Sequence, residues 1–522
     1  MVSKKPKIVI IGAGMAGLVA AHNLYRASTL SSDHLFDLCV VEGGDRIGGR
    51  INTSELNGNL IELGATWIHG IFGSPVHQIA QQIGALHSDK PWERMDGFPE
   101  DSVTAFEDGS VADPSIVDPI SNLYRNLMEF AKGKKKKKNK IPPILKGMSI
   151  GEFLRRGLDE YCVQRSHHFC NLLSSDGEEA VFAMNENIER TYTGAGDLFN
   201  LDFNSEHEYQ EFPGEEITIA KGYSSIIEYL ASAIPLGMIH LSKKVVKVEW
   251  CVEEVSVNYD RFSTPVKLHF EDGSVMEADH VIVTVSLGVL KSGIKDQHGN
   301  GMFSPPLPSF KTQAISRLGF GVVNKLFLQL NQNQNQNQNQ VFPSLQMAFH
   351  QDNSCRDESI PWWIRRTASL LPIYNNSNVV LAWFAGKEAV ELESLQDEEI
   401  IDGVSATISK FLPNSDGIHK CSNGEISGVV RSRWASDPLF MGSYSYVAVG
   451  SSGDDIDSMA KPLPISTKDG STPPPLQILF AGEATHRTHY STTHGAYYSG
   501  VREANRLLQH YNCAVSSELL LH

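Results

Sequence analysis

Six residues near the N-terminus have the glycine spacing that cradles a phosphate. They follow a short β-branched run, precede small apolar residues with helical spacing, and read Gly12, Ala13, Gly14, Met15, Ala16 and Gly17. In this context the first glycine permits a tight turn, the second lets the backbone approach a pyrophosphate, and the third lets the helix pack on the strand. The N–H groups at the start of the helix favour the phosphate charge. The pattern predicts a dinucleotide site.

A carboxylate stands where the next apolar run ends. Glu42 follows residues 38–41, and a carboxylate at this position accepts the hydroxyls of an adenosine ribose. The interval from Gly17 to Glu42 is longer than the usual ~20 residues, which we attribute to an extended loop at 31–37. NAD and FAD both fit this arrangement. The absence of an arginine directly after Glu42 disfavours NADP.

Two arginines and a second carboxylate extend the site. Residues 42–50 continue with Arg46 and Arg50 on a glycine-rich loop, and a guanidinium can grip a diphosphate with two hydrogen bonds. Ordinary surface ion pairs are the alternative for both arginines. Far along the chain, Gly482 and Glu483 follow another apolar run, where the carboxylate can accept from ribityl hydroxyls. Together these residues favour FAD.

The elements that must position these residues are spread along the chain. Runs at 7–11 and 38–41 read as buried strands around a helix from residue 15 to about 26, a βαβ opening that points to a doubly wound α/β sheet. Runs at 281–285 and 478–481 read as further strands of that sheet. We therefore predict a discontinuous dinucleotide domain with a second domain inserted into it. A continuous two-domain split is the alternative.

Longer stretches now show a resemblance. The Glu-x-x-x-Arg-x-Gly-Gly-Arg pattern at 42–50, GATWIHG at 64–70, MGSYSY at 441–446 and FAGEATHRTHYSTTHGAYYSG at 480–500 resemble the flavin-dependent amine oxidases. Within that family the polyamine and spermine oxidases are most similar, and the cytosolic plant thermospermine or spermine oxidases are the nearest branch. The resemblance implies a Rossmann-like FAD-binding domain (1–90, 210–300 and 465–522) with an inserted α+β substrate-binding domain (91–209 and 301–464). Low-complexity loops are expected at 132–140 and 331–340.

The resemblance also implies catalytic residues. Lys325 matches the family lysine beside flavin N5, and Tyr444 matches one wall of the substrate cage. Thr492 stands where the family often has the opposite aromatic wall. His69 matches a position that pairs with the substrate amine. Ser443 replaces the cysteine that binds flavin covalently in monoamine oxidases, so we expect noncovalent FAD.

Further contacts follow from the same matches. For the substrate we expect Glu208, Trp67 and Tyr446, with Glu206 and Glu211 as competitors for the ammonium partner, because a desolvated ammonium needs a carboxylate. For FAD we expect the following contacts: Gly12, Gly14, Met15, Ala16 and Gly17 of the glycine motif, and Glu42, Arg50, Gly64, Ala65, Thr66, Trp67, Val246, Trp434, Gly482, Glu483, Thr492 and Thr493.

Composition excludes other classes. The 522 residues carry 45 Lys+Arg against 61 Asp+Glu, a net charge of −16, which argues against a nucleic-acid binder. The cysteines are scattered singly, so we expect neither disulfides nor a cysteine zinc site. His486, His489 and His494 could suggest a metal, but their surroundings match the flavin family, and no metal is expected. We expect no signal peptide and no membrane helix, and hence a cytoplasmic location. Separately, we expect a monomer.

The expected reaction is the oxidation of a secondary amine of spermine or thermospermine by O₂, which gives spermidine, 3-aminopropanal and H₂O₂. An oxidase acting on methylated histone lysines is one alternative, since it shares the flavin core. A flavin-binding regulatory protein without turnover is the other, with the lysine run at 134–138 recruiting a nucleic acid or an import factor.

Overall fold

The structure is a computed structural model, and it describes the chain in thirteen stretches. These are residues 5–29, 35–87, 95–97, 102–133, 147–168, 176–250, 265–294, 301–331, 342–352, 356–374, 377–412, 426–465 and 476–513. The lysine run at 134–138 and nearly all of the Asn/Gln repeat at 331–340 lie outside the described residues.

Twelve α-helices lie within the described residues. They are α1 (Met15–Thr29), α2 (Pro75–Gln82), α3 (Pro114–Ala131), α4 (Ile150–His168), α5 (Asp176–Thr193), α6 (Ser224–Ser232), α7 (Leu287–Gly293), α8 (Ser309–Arg317), α9 (Lys387–Ser394), α10 (Asp397–Phe411), α11 (Gly453–Ala460) and α12 (Thr493–His510).

The strands that the described residues form are short. They are β1 (Lys7–Ile11), β2 (Asp37–Val41), β3 (Thr53–Leu56), β4 (Asn59–Glu62), β5 (Trp67–Ile68), β6 (Val103–Phe106), β7 (Ile217–Thr218), β8 (Ile239–His240), β9 (Val245–Glu249), β10 (Val266–Phe270), β11 (Val275–Ala278), β12 (His280–Val283), β13 (Phe303–Ser304), β14 (Gly319–Gly321), β15 (Val323–Leu330), β16 (Leu345–Ala348), β17 (Ser369–Pro372), β18 (Val379–Ala385), β19 (Ile426–Arg431), β20 (Tyr444–Tyr446) and β21 (Ile478–Phe480).

A parallel five-stranded sheet carries the glycine motif. Its order is β21-β12-β1-β2-β8, so strands from the start, middle and far part of the chain lie side by side. β1 is almost entirely buried, as expected for a parallel strand covered on both faces. α1 and α12 pack on this sheet within one apolar core. The predicted doubly wound α/β arrangement is confirmed.

A second, six-stranded sheet has the order β19-β15-β18-β17-β16-β6. Its pairs are antiparallel except for β16 with β6, which run parallel. α3, α4 and α5 pack together on an apolar core of their own beside this sheet. A four-stranded sheet, β11-β10-β9-β13, lies against the first. Mixed α/β layers of this kind give the two-domain architecture that the sequence predicts.

A buried ion pair joins α5 to α9. Arg190 and Glu388 are 1% and 3% exposed in their side chains and lie 2.6 Å apart. The guanidinium also donates to the backbone carbonyls of Gly196 and Ala385. The Nε and Nη2 groups of this arginine therefore tie α5 to its neighbours, while Nη1 donates to Asn187 on α5 itself. The end of α5 lines the site described below.

Replacing Arg190 by methionine is expected to lower the free energy of unfolding by about 3–5 kcal/mol. Among the described residues, the change leaves the buried Glu388 carboxylate with Arg366, 3.9 Å away, as its remaining ion-pair partner. The matched control is Arg156→Met, because Arg156 pairs with Glu152 at the surface of α4, where a loss of about 0.5 kcal/mol or less is expected. Urea and thermal melts measure both, and equal losses in the two variants would contradict the prediction.

Candidate active site

One cavity of about 600 Å³ runs between the two main sheets. Its first section lies at the carboxyl ends of the parallel strands, where β1, β2, β12 and β21 deliver Gly12, Glu42, Thr284 and Gly482. Ligands of open α/β sheets bind at this edge. Its second section is lined by residues of the six-stranded sheet and of α5.

The three motif glycines do different work in the turn. Gly12 has φ of 105°, a conformation that side chains other than glycine rarely adopt. A Cβ on Gly17 would lie 2.0 Å from the carbonyl oxygen of Gly12, so this glycine lets α1 pack on β1. Apart from its chain neighbours, the nearest described atom to a Cβ on Gly14 would be the carbonyl oxygen of Gly48, 3.8 Å away. Gly14 therefore leaves open space on the cavity side, where part of a ligand can lie close to the protein backbone.

The Glu42 carboxylate has acceptor capacity left over. Its two oxygens accept from the N–H groups of Ala13 at 2.7 Å and Gly44 at 2.8 Å. Each carboxylate oxygen has two acceptor positions, so both can take a further donor from the cavity. This is the arrangement expected for a carboxylate that holds two adjacent sugar hydroxyls.

Of the two predicted arginines, only Arg50 reaches the cavity. Arg46 donates to the carbonyl oxygens of Ile47, Gly49 and Ile51 and does not line the wall. It holds the glycine-rich loop in shape. Arg50 lines the wall and donates to the carbonyl oxygen of Ser443 at 2.7 Å. Neither arginine is the ordinary surface ion pair that the sequence left open.

Glu483 is buried, and its carboxylate is held by protein donors. Arg50 donates to one oxygen at 3.0 Å. The other oxygen accepts from the hydroxyl of Ser445 at 2.5 Å and from the N–H of Ser491 at 2.9 Å. Glu483 lines the cavity, yet its main contacts fasten three separate segments together. The sequence had predicted contacts with ribityl hydroxyls for this carboxylate.

The segment 64–67 passes along the junction of the two sections. A Cβ on Gly64 would lie 1.9 Å from the carbonyl oxygen of Arg50, so only glycine fits there. Trp434 lines the wall and donates its indole N–H to the carbonyl oxygen of Leu63. Among the described residues, the indole N–H of Trp67 is buried without an acceptor, although Trp67 lines the cavity. An unmatched donor here fits a wall built for a bound polar group.

Lys325 lies on β15 and is 3% exposed. Its Nζ donates to the carbonyl oxygens of Glu62 at 2.6 Å and Gly64 at 2.7 Å, and to the hydroxyl of Thr66. It also lies 4.5 Å from the centre of the Trp383 ring. Lys325 thus holds in place the segment that lines the junction of the two cavity sections. Its side-chain amine can also carry a proton at that point.

Burial changes the ionisation of Lys325 and of Glu62. Desolvation lowers the pKa of Lys325, while the nearby Glu62 carboxylate acts to raise it. Desolvation also raises the pKa of Glu62, against hydrogen bonds from the Tyr223 N–H and the Thr53 hydroxyl. Glu62 stands two residues before the 64–70 motif, but no local pattern in the sequence marks it as a site residue.

The other predicted catalytic residues line the same cavity. Tyr444 donates its hydroxyl to the carbonyl oxygen of Thr191, so its ring is fixed against the end of α5. The hydroxyl of Thr492 caps α12: it accepts from the N–H of Gly495 at 3.1 Å and donates to the carbonyl oxygen of His489 at 2.7 Å. Both side chains are therefore held in place by the protein.

His69 also reaches the wall. Its Nδ1 lies 2.9 Å from Glu216, and its ring centre lies 6.2 Å from that of Trp67. A proton on this imidazole would be shared with the carboxylate. The stacked rings of His486 and His489 lie outside the wall. Within the described part of the chain, no group of three His, Cys, Asp or Glu residues is placed to hold a metal ion.

The second section is acidic. Three glutamates line it around one lysine: Glu189 on α5, then Glu206 and Glu211, with Lys132 at the end of α3. Lys132 Nζ lies 3.6 Å from Glu211. Burial raises the pKa of Glu206 to about 7, and it also raises the pKa of Glu189. The single positive charge of Lys132 cannot balance the negative charges of three ionised carboxylates.

Besides Arg46, three predicted contact residues lie off the wall. Glu208, the predicted ammonium partner, pairs instead with Arg487 at 2.8 and 3.0 Å, and its competitors Glu206 and Glu211 reach the cavity. Val246 is 43% exposed, and its neighbour Val245 lines the wall. Gly17 packs α1 on β1, as described above. The other predicted residues, which include Met15, Ala16, Ala65, Tyr446 and Thr493, line the cavity.

Residue 443 is a serine and has no thiol through which a flavin could be attached covalently. The Ser443 hydroxyl donates to the carbonyl oxygen of Val323 and accepts from its N–H, both at 2.8 Å. None of the described residues on the wall is a cysteine. Separately, no helix in the described stretches is long and apolar enough to cross a bilayer.

The fold and the cavity now define a class. Residues 15–508 match the flavin containing amine oxidoreductase family, and the chain belongs to it. It is an FAD-dependent amine oxidase with the two-domain architecture of that family.

Individual relatives are similar over their full lengths. The chain is 52% identical to "Probable polyamine oxidase 5" of Arabidopsis thaliana, with 98% of this chain and 99% of that protein aligned. It is 48% identical to "Polyamine oxidase 1" of Oryza sativa subsp. japonica, with 98% of each aligned. It is 33% identical to "Peroxisomal N(1)-acetyl-spermine/spermidine oxidase" of Homo sapiens, with 96% and 95% aligned.

The first section of the cavity fits FAD. The open space at Gly14, the spare acceptors of Glu42 and the unmatched indole N–H of Trp67 each suit a bound dinucleotide. Arg50 and the start of α1 would hold its phosphates. Bound FAD would supply the two-electron redox chemistry for the oxidation of an amine by O₂.

Proposed function

We propose that this protein is a polyamine oxidase that cleaves spermine or thermospermine to spermidine and 3-aminopropanal. The observation that carries the proposal is the second section of the cavity, where carboxylates and aromatic rings adjoin the cofactor section. Each ammonium of a polyamine needs a carboxylate partner once it leaves water. The names of the plant relatives support the same substrate class.

The chain's residues would act on the substrate in three ways. Tyr444 and Trp67 would hold the aliphatic part between fixed rings. His69 would accept the proton that the reacting amine must lose, and Glu216 would share it. Lys325 would hold a proton beside the reacting carbon and the cofactor.

The overall chemistry balances. The secondary amine loses two electrons and two protons to become an imine, water adds to the imine, and the C–N bond breaks to release spermidine and 3-aminopropanal. The two electrons and two protons convert O₂ into H₂O₂. We propose noncovalent FAD, because Ser443 replaces the cysteine of monoamine oxidases and bonds to the backbone of β15.

Anaerobic mixing tests the proposal. Spermine, thermospermine, spermidine, benzylamine and a methyl-lysine peptide are each added to FAD-loaded protein, and flavin absorbance is followed before air is admitted. The expected result is bleaching by a tetraamine, followed by one equivalent each of spermidine and H₂O₂. Bleaching by the methyl-lysine peptide alone would replace the proposal with demethylation. No bleaching by any amine would overturn it.

A further inference from the structure

Two side chains behind the cavity wall, Asn324 and Glu393, form a buried polar pair. Asn324 lies on β15 and is fully buried, and its amide donates to Glu393 Oε1 at 2.6 Å and to the carbonyl oxygen of Ala389 at 3.0 Å. Glu393 belongs to α9 and is 8% exposed. Neither residue lines the cavity, so neither contacts a ligand bound there.

The carboxylate of the pair holds the turn that carries Trp434. Its Oε1 accepts from the N–H of Ala435 at 2.8 Å, and its Oε2 accepts from the N–H of Ser436 at 2.7 Å. The Oδ1 atom of Asn324 accepts from the N–H of Trp434 at 3.2 Å. Three successive N–H groups of one turn are therefore bound by the buried polar pair. A carboxylate forms stronger hydrogen bonds with such groups than a neutral acceptor does.

The amide of the pair also fixes the backbone of Lys325. The hydroxyl of Ser432 donates to Asn324 Oδ1 at 2.9 Å and accepts from the N–H of Lys325 at 2.9 Å. The N–H of Ser432 donates to the carbonyl oxygen of Lys325 at 3.0 Å. Successive side chains of a strand point to opposite faces, and here Lys325 lines the cavity while Asn324 contacts α9. One amide thus joins the lysine strand to the tryptophan turn.

Lys325 and Trp434 in turn hold one stretch of backbone at the junction of the two cavity sections. Lys325 Nζ donates to the carbonyl oxygens of Glu62 and Gly64. The indole N–H of Trp434 donates to the carbonyl oxygen of Leu63, which lies between them in the chain. Two side chains therefore bind three successive carbonyl groups. Both of these side chains are fixed from behind by the buried polar pair.

We propose that the buried polar pair positions the Lys325 amine and the Trp434 indole for the oxidation of the substrate amine. Asn324 and Glu393 touch neither substrate nor cofactor, so they are positioning residues. A displacement of about 1 Å in a reacting or orienting group can cost about a hundredfold in rate. The inference rests on the membership of the chain in the flavin containing amine oxidoreductase family and not on the identity of the amine.

Near-ultraviolet circular dichroism of the cofactor-free protein tests the hold on Trp434. The difference between wild type and Trp434→Phe defines the signal of this indole. Glu393→Gln keeps the shape of the side chain but turns an amide N–H₂ group toward the N–H of Ser436 or of Ala435, so at least one hydrogen bond is lost. We expect Glu393→Gln to lose most of the Trp434 signal at temperatures below its melting transition.

Glu388→Gln is the matched control. Glu388 lies on the same helix and is equally buried, but it pairs with Arg190 on α5. This variant should lower the melting temperature and keep the Trp434 signal. Equal loss of the signal in both variants would assign the effect to α9 as a whole and overturn the proposal. A wild-type signal in Glu393→Gln would overturn it as well.

Turnover of the FAD-loaded protein with spermine gives a second readout. We expect Glu393→Gln to lower kcat at least about tenfold and to leave KM within about twofold of wild type, because positioning acts on the reacting groups and not on substrate binding. Ser432→Ala removes only the link between Asn324 and the N–H of Lys325, so it should lower kcat and keep the Trp434 signal. If Glu393→Gln does not fold, Ser432→Ala decides alone, and a wild-type kcat in that variant would overturn the proposal.

The outcomes also separate this proposal from the proposed function. The Trp434 signal and the reoxidation of chemically reduced, FAD-loaded protein by O₂ are both measured without an amine. A protein that oxidises no polyamine would therefore sink the proposed function alone. Slower reoxidation in Glu393→Gln but not in Glu388→Gln would then support the positioning role, and equal rates in the two variants would overturn it.

Discussion

Replacing Lys325 by methionine is expected to lower the turnover number at least about a hundredfold while FAD stays bound. Lys325 is buried against Trp383 and braces the segment from Glu62 to Thr66. Methionine keeps an apolar stem of similar length but carries neither a proton nor a charge. The site therefore loses the amine of Lys325, while the cavity wall keeps its packing. Rapid mixing measures the loss separately for the amine and for O₂.

A second buried lysine offers a matched control. Lys311 is fully buried. Like Lys325, it donates its hydrogen bonds to protein atoms, in this case to three carbonyl oxygens at the end of α11. It does not line the cavity. Lys311→Met should lower the melting temperature and leave turnover close to wild type. Equal turnover losses in the two variants would show that Lys325 acts only through the fold.

The pair of Lys325 and Glu62 also predicts a shift with pH. The Glu62 carboxylate raises the pKa of Lys325 against the effect of burial. Glu62→Gln removes that charge, so the inflection of turnover that belongs to Lys325 should move to lower pH. A profile that keeps its inflection would exclude this coupling.

Replacing Gly14 by alanine is expected to weaken FAD binding by at least about tenfold without changing the stability of the cofactor-free protein. The added methyl would lie 3.8 Å from the carbonyl oxygen of Gly48, its nearest described neighbour outside residues 13–15, so the fold accommodates it. It would fill the space in which the pyrophosphate approaches the backbone. Flavin fluorescence titration measures the affinity, and thermal melts of the cofactor-free protein measure stability.

Gly17→Ala provides the contrast. Its methyl would lie 2.0 Å from the carbonyl oxygen of Gly12, so α1 could not pack on β1 and stability itself should fall. Gly14 and Gly17 stand three residues apart in one motif, yet the two substitutions have different expected effects. The first weakens FAD binding, and the second destabilises the fold. Unaltered FAD affinity in Gly14→Ala would mean that the dinucleotide does not pass this turn.

The sequence predicted the strands, the turn and the helix that form the first section of the cavity, because local patterns specify them. The glycine spacing and the apolar run before Glu42 specify the strand, the turn and the helix without knowledge of distant residues. The strands at 281–285 and 478–481 were predicted in the same sheet, and β12 and β21 lie there. Short-range physics fixes these features.

The acidic wall could not be predicted in the same way. The 3-10 turn at 205–207 directs Glu208 to Arg487, whereas Glu206 and Glu211 face the cavity. Lys132 was assigned to a low-complexity loop, yet it caps the end of α3 and reaches the wall. Glu189 stands among several acids of α5. Which acids face inward depends on the packing of distant helices, and no local signal marks it.

The strand order of the parallel sheet governs when the protein can acquire its cofactor during synthesis. The ribosome synthesises the phosphate-binding turn among the first residues of the chain. It reaches β12 only at residue 280 and β21 only at residue 478. The edge that receives the dinucleotide therefore remains incomplete while most of the chain emerges from the ribosome. We therefore expect tight flavin binding only near the end of synthesis or after it. Until then the early segments have apolar faces uncovered, a state in which chains are prone to aggregate.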